Sequence, residues 1–231
     1  MTDDFIQEMN EELRNQRLKA AAQKYGVVAV VLLILAVIGG GVWLWENHNL
    51  KVAQHRASER YFEALRFLDN HSESNNSDNV GLKKKAEAIL TNLADNSPEG
   101  VKSYAQMRLA DLKEQEGDQQ AALELWNKVQ KNKKADSALK NLASYLSLNS
   151  QFSKLAADDL RQGYQKLIQQ GGSWASLGRE GLVALDLQSG STAEQHKEAK
   201  RLLVEIQSSP DSSDALRQRA NLLIKTLGDV E

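Results

Sequence analysis

From Gly26 to Trp45 the chain reads GVVAVVLLILAVIGGGVWLW, twenty residues without an ionisable side chain. A helix rises about 1.5 Å per residue, so this run reaches about 30 Å, the thickness of a bilayer's hydrocarbon core. Tyr25 precedes the run and Trp43 and Trp45 close it; amphipathic rings of this kind favour the headgroup level. Residues 25–45 are therefore expected to form a transmembrane helix, with the remainder of the chain hanging from a membrane. The rival reading is a cleaved signal peptide. Such peptides carry an apolar run of about 7–15 residues ending in a small-x-small site, whereas here WENHNLKVAQHRA follows as a polar helix.

Arg14, Arg17, Lys19 and Lys24 precede the span, and Lys51, Arg56 and Arg60 follow it closely. This is a slight positive-inside bias, and a long C-terminal domain translocates largely regardless of its charge. The N-terminus is expected in the cytoplasm and residues 46–231 outside it, which in a bacterium means a single-pass inner-membrane protein with a periplasmic domain. Residues 1–24 begin acidic (Asp3, Asp4, Glu8, Glu11, Glu12) and end basic. Ile6, Met9, Leu13 and Ala20 share one helical face, giving an amphipathic cytoplasmic tail. Ala36-x-x-x-Gly40 would let another membrane helix approach closely, although glycine is common in such helices anyway.

Beyond the span the chain is polar, and its mean hydropathy is −0.51 overall. Four basic and five acidic residues precede Gly26, leaving 25 Lys+Arg against 26 Asp+Glu in residues 46–231. That balance excludes the broad basic field of a nucleic-acid binder. The absence of cysteine excludes disulfides, thiol nucleophiles and Cys-ligated metals. Two prolines and 6% aromatic residues point to an all-α protein.

Apolar residues recur at helical spacing after the span, as in Val101-Tyr104-Ala105-Leu109-Leu112 and Ala122-Leu125-Trp126-Val129. Between them fall Asn96-Ser97-Pro98, Glu116-Gly117-Asp118, Gly171-Gly172-Ser173, Ser189-Gly190-Ser191 and Ser209-Pro210-Asp211, which punctuate the chain as turns. The pattern predicts helices over 47–69, 82–95, 99–115, 119–132, 135–148, 153–169, 174–188, 193–208 and 212–227. The stretch Asn70–Asn79 has no core-forming residue and predicts a polar loop.

The spacing also repeats. Ala105-x-x-x-Leu109-Ala110 returns as Ala138-x-x-x-Leu142-Ala143 and, more loosely, as Ala215-x-x-x-Arg219-Ala220. Between the first two lies Gly117-Asp118-x-x-Ala121-Ala122-Leu123-x-x-Trp126. A turn glycine, a small residue at the helix crossing and an aromatic filler resemble the tetratricopeptide (TPR) pattern. Residues 46–231 are thus expected to form a degenerate TPR-like α-solenoid of helical hairpins. The aromatic of the first helix is replaced by Lys113, and most repeat-end prolines are absent. Gly178 and Gly181 fall inside a predicted helix, where each costs about 0.5–1 kcal/mol relative to Ala; they are expected where another backbone packs tightly.

One anchor followed by such an array resembles the ancillary subunit family of the bacterial Sec translocon, the YfgM-like proteins. The resemblance rests on Gly172-Ser173-Trp174-Ala175, Gly178-Arg179-Glu180-Gly181-Leu182 and Gly190, and on the opening DDFIQEMNEELRNQRLK. It implies a place beside the Sec channel and contact with a membrane-anchored periplasmic chaperone. It transfers no binding residue.

No catalytic constellation is legible. His48, His55, His71 and His196 are scattered, and no GxGxxG, P-loop, HExxH or GxSxG motif occurs. Asp158 and Asp159 are adjacent and so diverge around a helix. Lys83-Lys84-Lys85 and the run from Lys131 to Lys134 sit at helix ends. The expectation is a non-catalytic scaffold without cofactor or metal, holding Sec components and a periplasmic chaperone; the alternative is a scaffold in outer-membrane assembly or cell division. The candidate partner-binding residues are Tyr104, Met107 and Asp111, which would project from the concave face. The TPR clamp for a C-terminal carboxylate is missing, since Lys140 is followed by Ser144 and the preceding pair is Met107 and Asp111.

Overall fold

A computed structural model describes residues 48–69 and 79–228. The expected span Gly26–Trp45, the tail 1–24 and nearly all of the loop Asn70–Asn79 lie outside the described residues. Among the described residues no helix is long and apolar enough to cross a membrane, and no strand occurs. Helix α1 covers residues 48–69. It is followed by α2 (Asn79–Asn96), α3 (Glu99–Gln115), α4 (Gln119–Lys131) and α5 (Ser137–Ser150). The last four are α6 (Ala157–Gln169), α7 (Gly172–Asp186), α8 (Ala193–Ser208) and α9 (Asp214–Leu227). The chain divides between Ala53 and Gln54, within α1, where the exposed first turns give way to Ala57, the first buried residue.

The helix ends follow local chemistry. Asp118 accepts from the Ala121 amide, Asp136 from Ala138 and Ser213 from Leu216, each relieving an orphan amide. Thr192 and Gln195 form a reciprocal capping box at α8. Gly117, Gly171 and Gly190 take φ values of 81°, 75° and 89° at the turns, a region L side chains avoid. Helix α6 starts four residues later than the pattern predicts, at Ala157, which puts Asp158 and Asp159 in its first turn against the positive end of the helix dipole.

Successive helices pack as antiparallel hairpins. Asn132, just past α4, donates to Glu99 and Ser103 at the start of α3. Gln119 at the start of α4 donates to Ser150 at the end of α5, and Lys200 of α8 reaches the carbonyl of Gly228 beyond α9. Two apolar cores result. The first gathers Ala64, Leu90, Ala105, Leu109, Trp126 and Val129 from α1 to α5. The second gathers Leu160, Tyr164, Val183, Leu203 and Ile206 from α6 to α9. Helix α5 serves both: Leu139 and Leu146 lean on the first core, and Tyr145 and Leu148 on the second. The small residue closing each copy of the repeat is buried, at Ala110, Ala143 and Ala220. The residue opening it is buried only at Ala105, and exposed at Ala138 and Ala215.

Gly178 meets another backbone as expected, whereas Gly181 is crowded by a side-chain ring. A Cβ on Gly178 would stand 2.7 Å from the Tyr164 carbonyl oxygen and 3.1 Å from the Ile168 amide nitrogen, both backbone atoms of α6. A Cβ on Gly181 would meet the Tyr164 ring at 2.3–2.6 Å. Gly178→Ala gains helix propensity of about 1 kcal/mol but forces α6 and α7 apart. Overpacking of this kind costs about 1–3 kcal/mol, and because the obstacle is backbone the upper end applies. A net loss of about 1–2 kcal/mol in urea unfolding is expected; a stabilised variant would mean that α6 and α7 do not pack this closely.

Candidate interaction face

The odd-numbered helices form one layer. Helix α3 meets α5, and α5 meets α7. Ser173 at the start of α7 donates to the Asp211 carbonyl just before α9, and Arg219 of α9 reaches Glu180 of α7 at 2.9 Å. Among the described residues no two even-numbered helices approach one another as closely as α3 and α5 or α5 and α7 do. The odd layer is thus the more tightly spaced of the two along α3, α5 and α7.

Two clefts open on that layer. At the N-terminal end Ser58, Tyr61 and Phe62 of α1 face Val101 and Tyr104 of α3 around about 420 Å³. The Tyr61 ring lies 5.9 Å from that of Phe62 and 6.5 Å from that of Tyr104. Phe62 and Tyr104 are 57% and 51% exposed, unusual for large rings that could have been buried. Burial pushes the Tyr61 phenol upward, opposed by the nearby Arg108 guanidinium. Residues four apart share a helical face, so Tyr104 and Arg108 lie on one stripe; Asp111, three further on, accepts from Arg108 at 2.6 Å.

The second cleft, about 530 Å³, lies between α5, α7 and α9. Tyr145, Asn149 and Phe152 form one wall, Glu180, Ala184 and Arg219 the other, and Tyr164 the floor. The Tyr164 hydroxyl donates to Asn149 Oδ1 at 2.8 Å. Burial, with a smaller contribution from Tyr145, pushes its pKa to about 12, so it stays a neutral hydrogen-bonding group on the floor at working pH. A smaller, more enclosed apolar extension of about 260 Å³ shares Glu180, Ala184 and Arg219 and adds Leu203, Leu216 and Leu223.

Of the three residues expected to project, Tyr104 does so and Asp111 is half-exposed on the same stripe. Met107 requires a correction: it is buried in the first core at 9% exposure. It lies three residues from Tyr104, which turns it off the stripe by about 60° at 3.6 residues per turn. Tyr61, Phe62, Tyr145, Glu180 and Arg219 belong to the face but were missed. They come from helices distant in sequence, and the only available signal was the adjacent aromatic pair at 61–62. His55 lies on α1 and His196 on α8, and His55 sits 3.4 Å from Glu59. Among the described residues no cluster of three or more His, Asp or Glu could hold a metal. The chain matches no protein-family model, no curated protein and no solved structure.

Proposed function

We propose that the chain is a non-catalytic, membrane-tethered TPR-like scaffold that holds a protein partner against the odd-helix face. The observation that carries this reading is the exposed aromatic cleft of Tyr61, Phe62 and Tyr104, continued along the layer by the Tyr145–Arg219 cleft. Aromatic side chains anchor interfaces because they offer large apolar area with few rotamers to freeze. Parallel odd-numbered helices present such anchors along a track that suits an extended segment or a helix. The tether is the apolar run Gly26–Trp45, which raises the effective concentration of the face near membrane complexes. The resemblance to the Sec ancillary subunits supports a Sec component or a membrane-anchored periplasmic chaperone as partner, with the array in the periplasm of a bacterial inner-membrane protein.

The test uses Phe62→Ser with Tyr104→Ser. Serine matches the helix propensity of both aromatics, and substitutions at exposed positions move stability by about 0.5 kcal/mol or less. The full chain carrying both is expected to fold as wild type. It should lose at least about tenfold in partner co-purified from detergent-solubilised membranes, as loss of interface anchors does. Full retention would remove the aromatic cleft as the site. A complex containing neither Sec components nor a periplasmic chaperone would remove the assignment of partner while leaving the cleft.

A further inference from the structure

Five lysines surround the α4–α5 turn, Lys128, Lys131, Lys133, Lys134 and Lys140, with one acid, Asp136, between Asn127 and Asn141. Lys128, Lys131, Lys133 and Lys134 are exposed and make no ion pair among the described residues. Lys140 turns its ammonium onto the Lys133 carbonyl at 3.4 Å. The acids nearby are otherwise engaged: Asp136 caps α5 through the Ala138 amide at 2.8 Å. Glu99 accepts from Asn132 at 2.8 Å and stands 3.5 Å from Lys102. Asp95 is exposed at the end of α2, and Glu124, one turn before Lys128, accepts from Gln120 at 3.1 Å. The contrast is with Lys83 and Lys113, which are neutralised by Glu116 and Glu87.

The topology decides what these lysines face. Ser58 and Tyr61 line one cleft with Val101 and Tyr104, in the same register, so α1 and α3 run parallel. Asn132 sits against Glu99 at the start of α3. The lysine turn therefore lies at the end of the array where the chain comes in at Gln54. Eight residues lie between Trp45 and Gln54, and those from residue 48 on are helical, so the connection reaches at most about 20 Å. On the tethered reading, four lysines that make no ion pair among the described residues thus stand at the end of the array that the chain enters from the anchor side.

We propose that the α4–α5 turn is an electrostatic footing that docks the array on anionic phospholipid headgroups. The proposal rests on the tethered reading above. Each lysine near an anionic surface shifts the docked equilibrium by about fivefold, and the attraction fades beyond a Debye length of about 8–10 Å. Docking would fix which way the odd-helix face looks along the membrane.

The chain has no cysteine, so a single introduced thiol is labelled uniquely. Ser137→Cys places a donor dye beside the lysines and Gln115→Cys places one at the opposite end of α3; both positions are exposed. The full chain goes into nanodiscs of phosphatidylcholine, or of phosphatidylcholine with about 30% phosphatidylglycerol, carrying a headgroup acceptor. Energy transfer from position 137 is expected to be higher in the anionic discs. It should fall to the zwitterionic value in about 0.5 M salt and when Lys128, Lys131, Lys133 and Lys134 are all changed to Gln, with at least about a 50-fold shift in the docked-to-free ratio. Position 115 should respond to neither. Equal transfer in both lipids, or transfer unchanged by the Gln variant, overturns the footing. Alkaline carbonate separates the two readings. A chain that resists extraction but shows flat transfer loses only the footing. A chain that is stripped yet floats on phosphatidylglycerol vesicles in a lysine-dependent way loses only the tether. A chain that is stripped and does not float loses both.

Discussion

Trp126→Ala is expected to lower the unfolding free energy by about 3–5 kcal/mol, the range for deleting a large buried ring. Trp126 is 2% exposed and belongs to the core that joins α1 to α5. It shares one apolar stripe of α4 with Ala122, Leu125 and Val129. The backbones of a hairpin array cannot close over so large a cavity, so both the transfer term and the cavity term are felt. The indole Nε1 is buried with no partner among the described residues, and an unpaired donor costs stability. Trp126→Phe should therefore cost less, about 1–2 kcal/mol, because it gives up ring area while removing that donor. Urea unfolding of the full chain in detergent, followed by circular dichroism, measures both. An alanine variant within about 0.5 kcal/mol of wild type would show that the ring does not hold the first core together.

Arg161→Ala is expected to cost about 3 kcal/mol. Asp186, at the end of α7, is 1% exposed, and its Oδ1 accepts from Arg161 Nη2 of α6 at 2.5 Å. Its Oδ2 has no partner among the described residues. Breaking a buried pair leaves an uncompensated charge, which costs about 3–5 kcal/mol. The low end applies because the Arg161 side chain is 31% exposed and water can reach the gap. The hydrogen bond to Asp186 holds the guanidinium pKa above its ordinary value. A raised pKa stabilises the fold at every pH below the unfolded value and is lost only above it, so the pair's contribution persists through the alkaline working range. Replacing both partners, Arg161→Met with Asp186→Leu, should recover most of the loss, since apolar side chains of similar volume carry no desolvation penalty. If the single and double variants unfold alike, the pair is not what ties α6 to α7.

Helical periodicity alone placed most of the helices to within a few residues, because each element buries one stripe and that stripe is written locally. Gly117, Gly171 and Gly190 marked turns for an equally local reason, a backbone angle that other residues avoid. Gly178 and Gly181 announced a tight helix contact through their cost inside a helix. The sequence could not say that the contact is the α6 backbone and the Tyr164 ring, since those atoms arrive from another hairpin. The same limit governs the candidate face. Tyr104 was legible as a projecting residue, yet Met107 three positions on is core. The difference lies in the angle at which α3 seats against its neighbours, which periodicity fixes only to within a broad arc. Tyr61 meets Tyr104 across 43 positions, and Glu180 meets Arg219 across 39. Charge composition likewise showed only near-neutrality. That Lys128, Lys131, Lys133 and Lys134 make no ion pair among the described residues, while Lys83 and Lys113 are neutralised, depends on which helix ends the hairpins bring together. Local propensity determines the elements; the contacts between distant elements, and the groups those contacts leave unpartnered, are decided only when the hairpins pack.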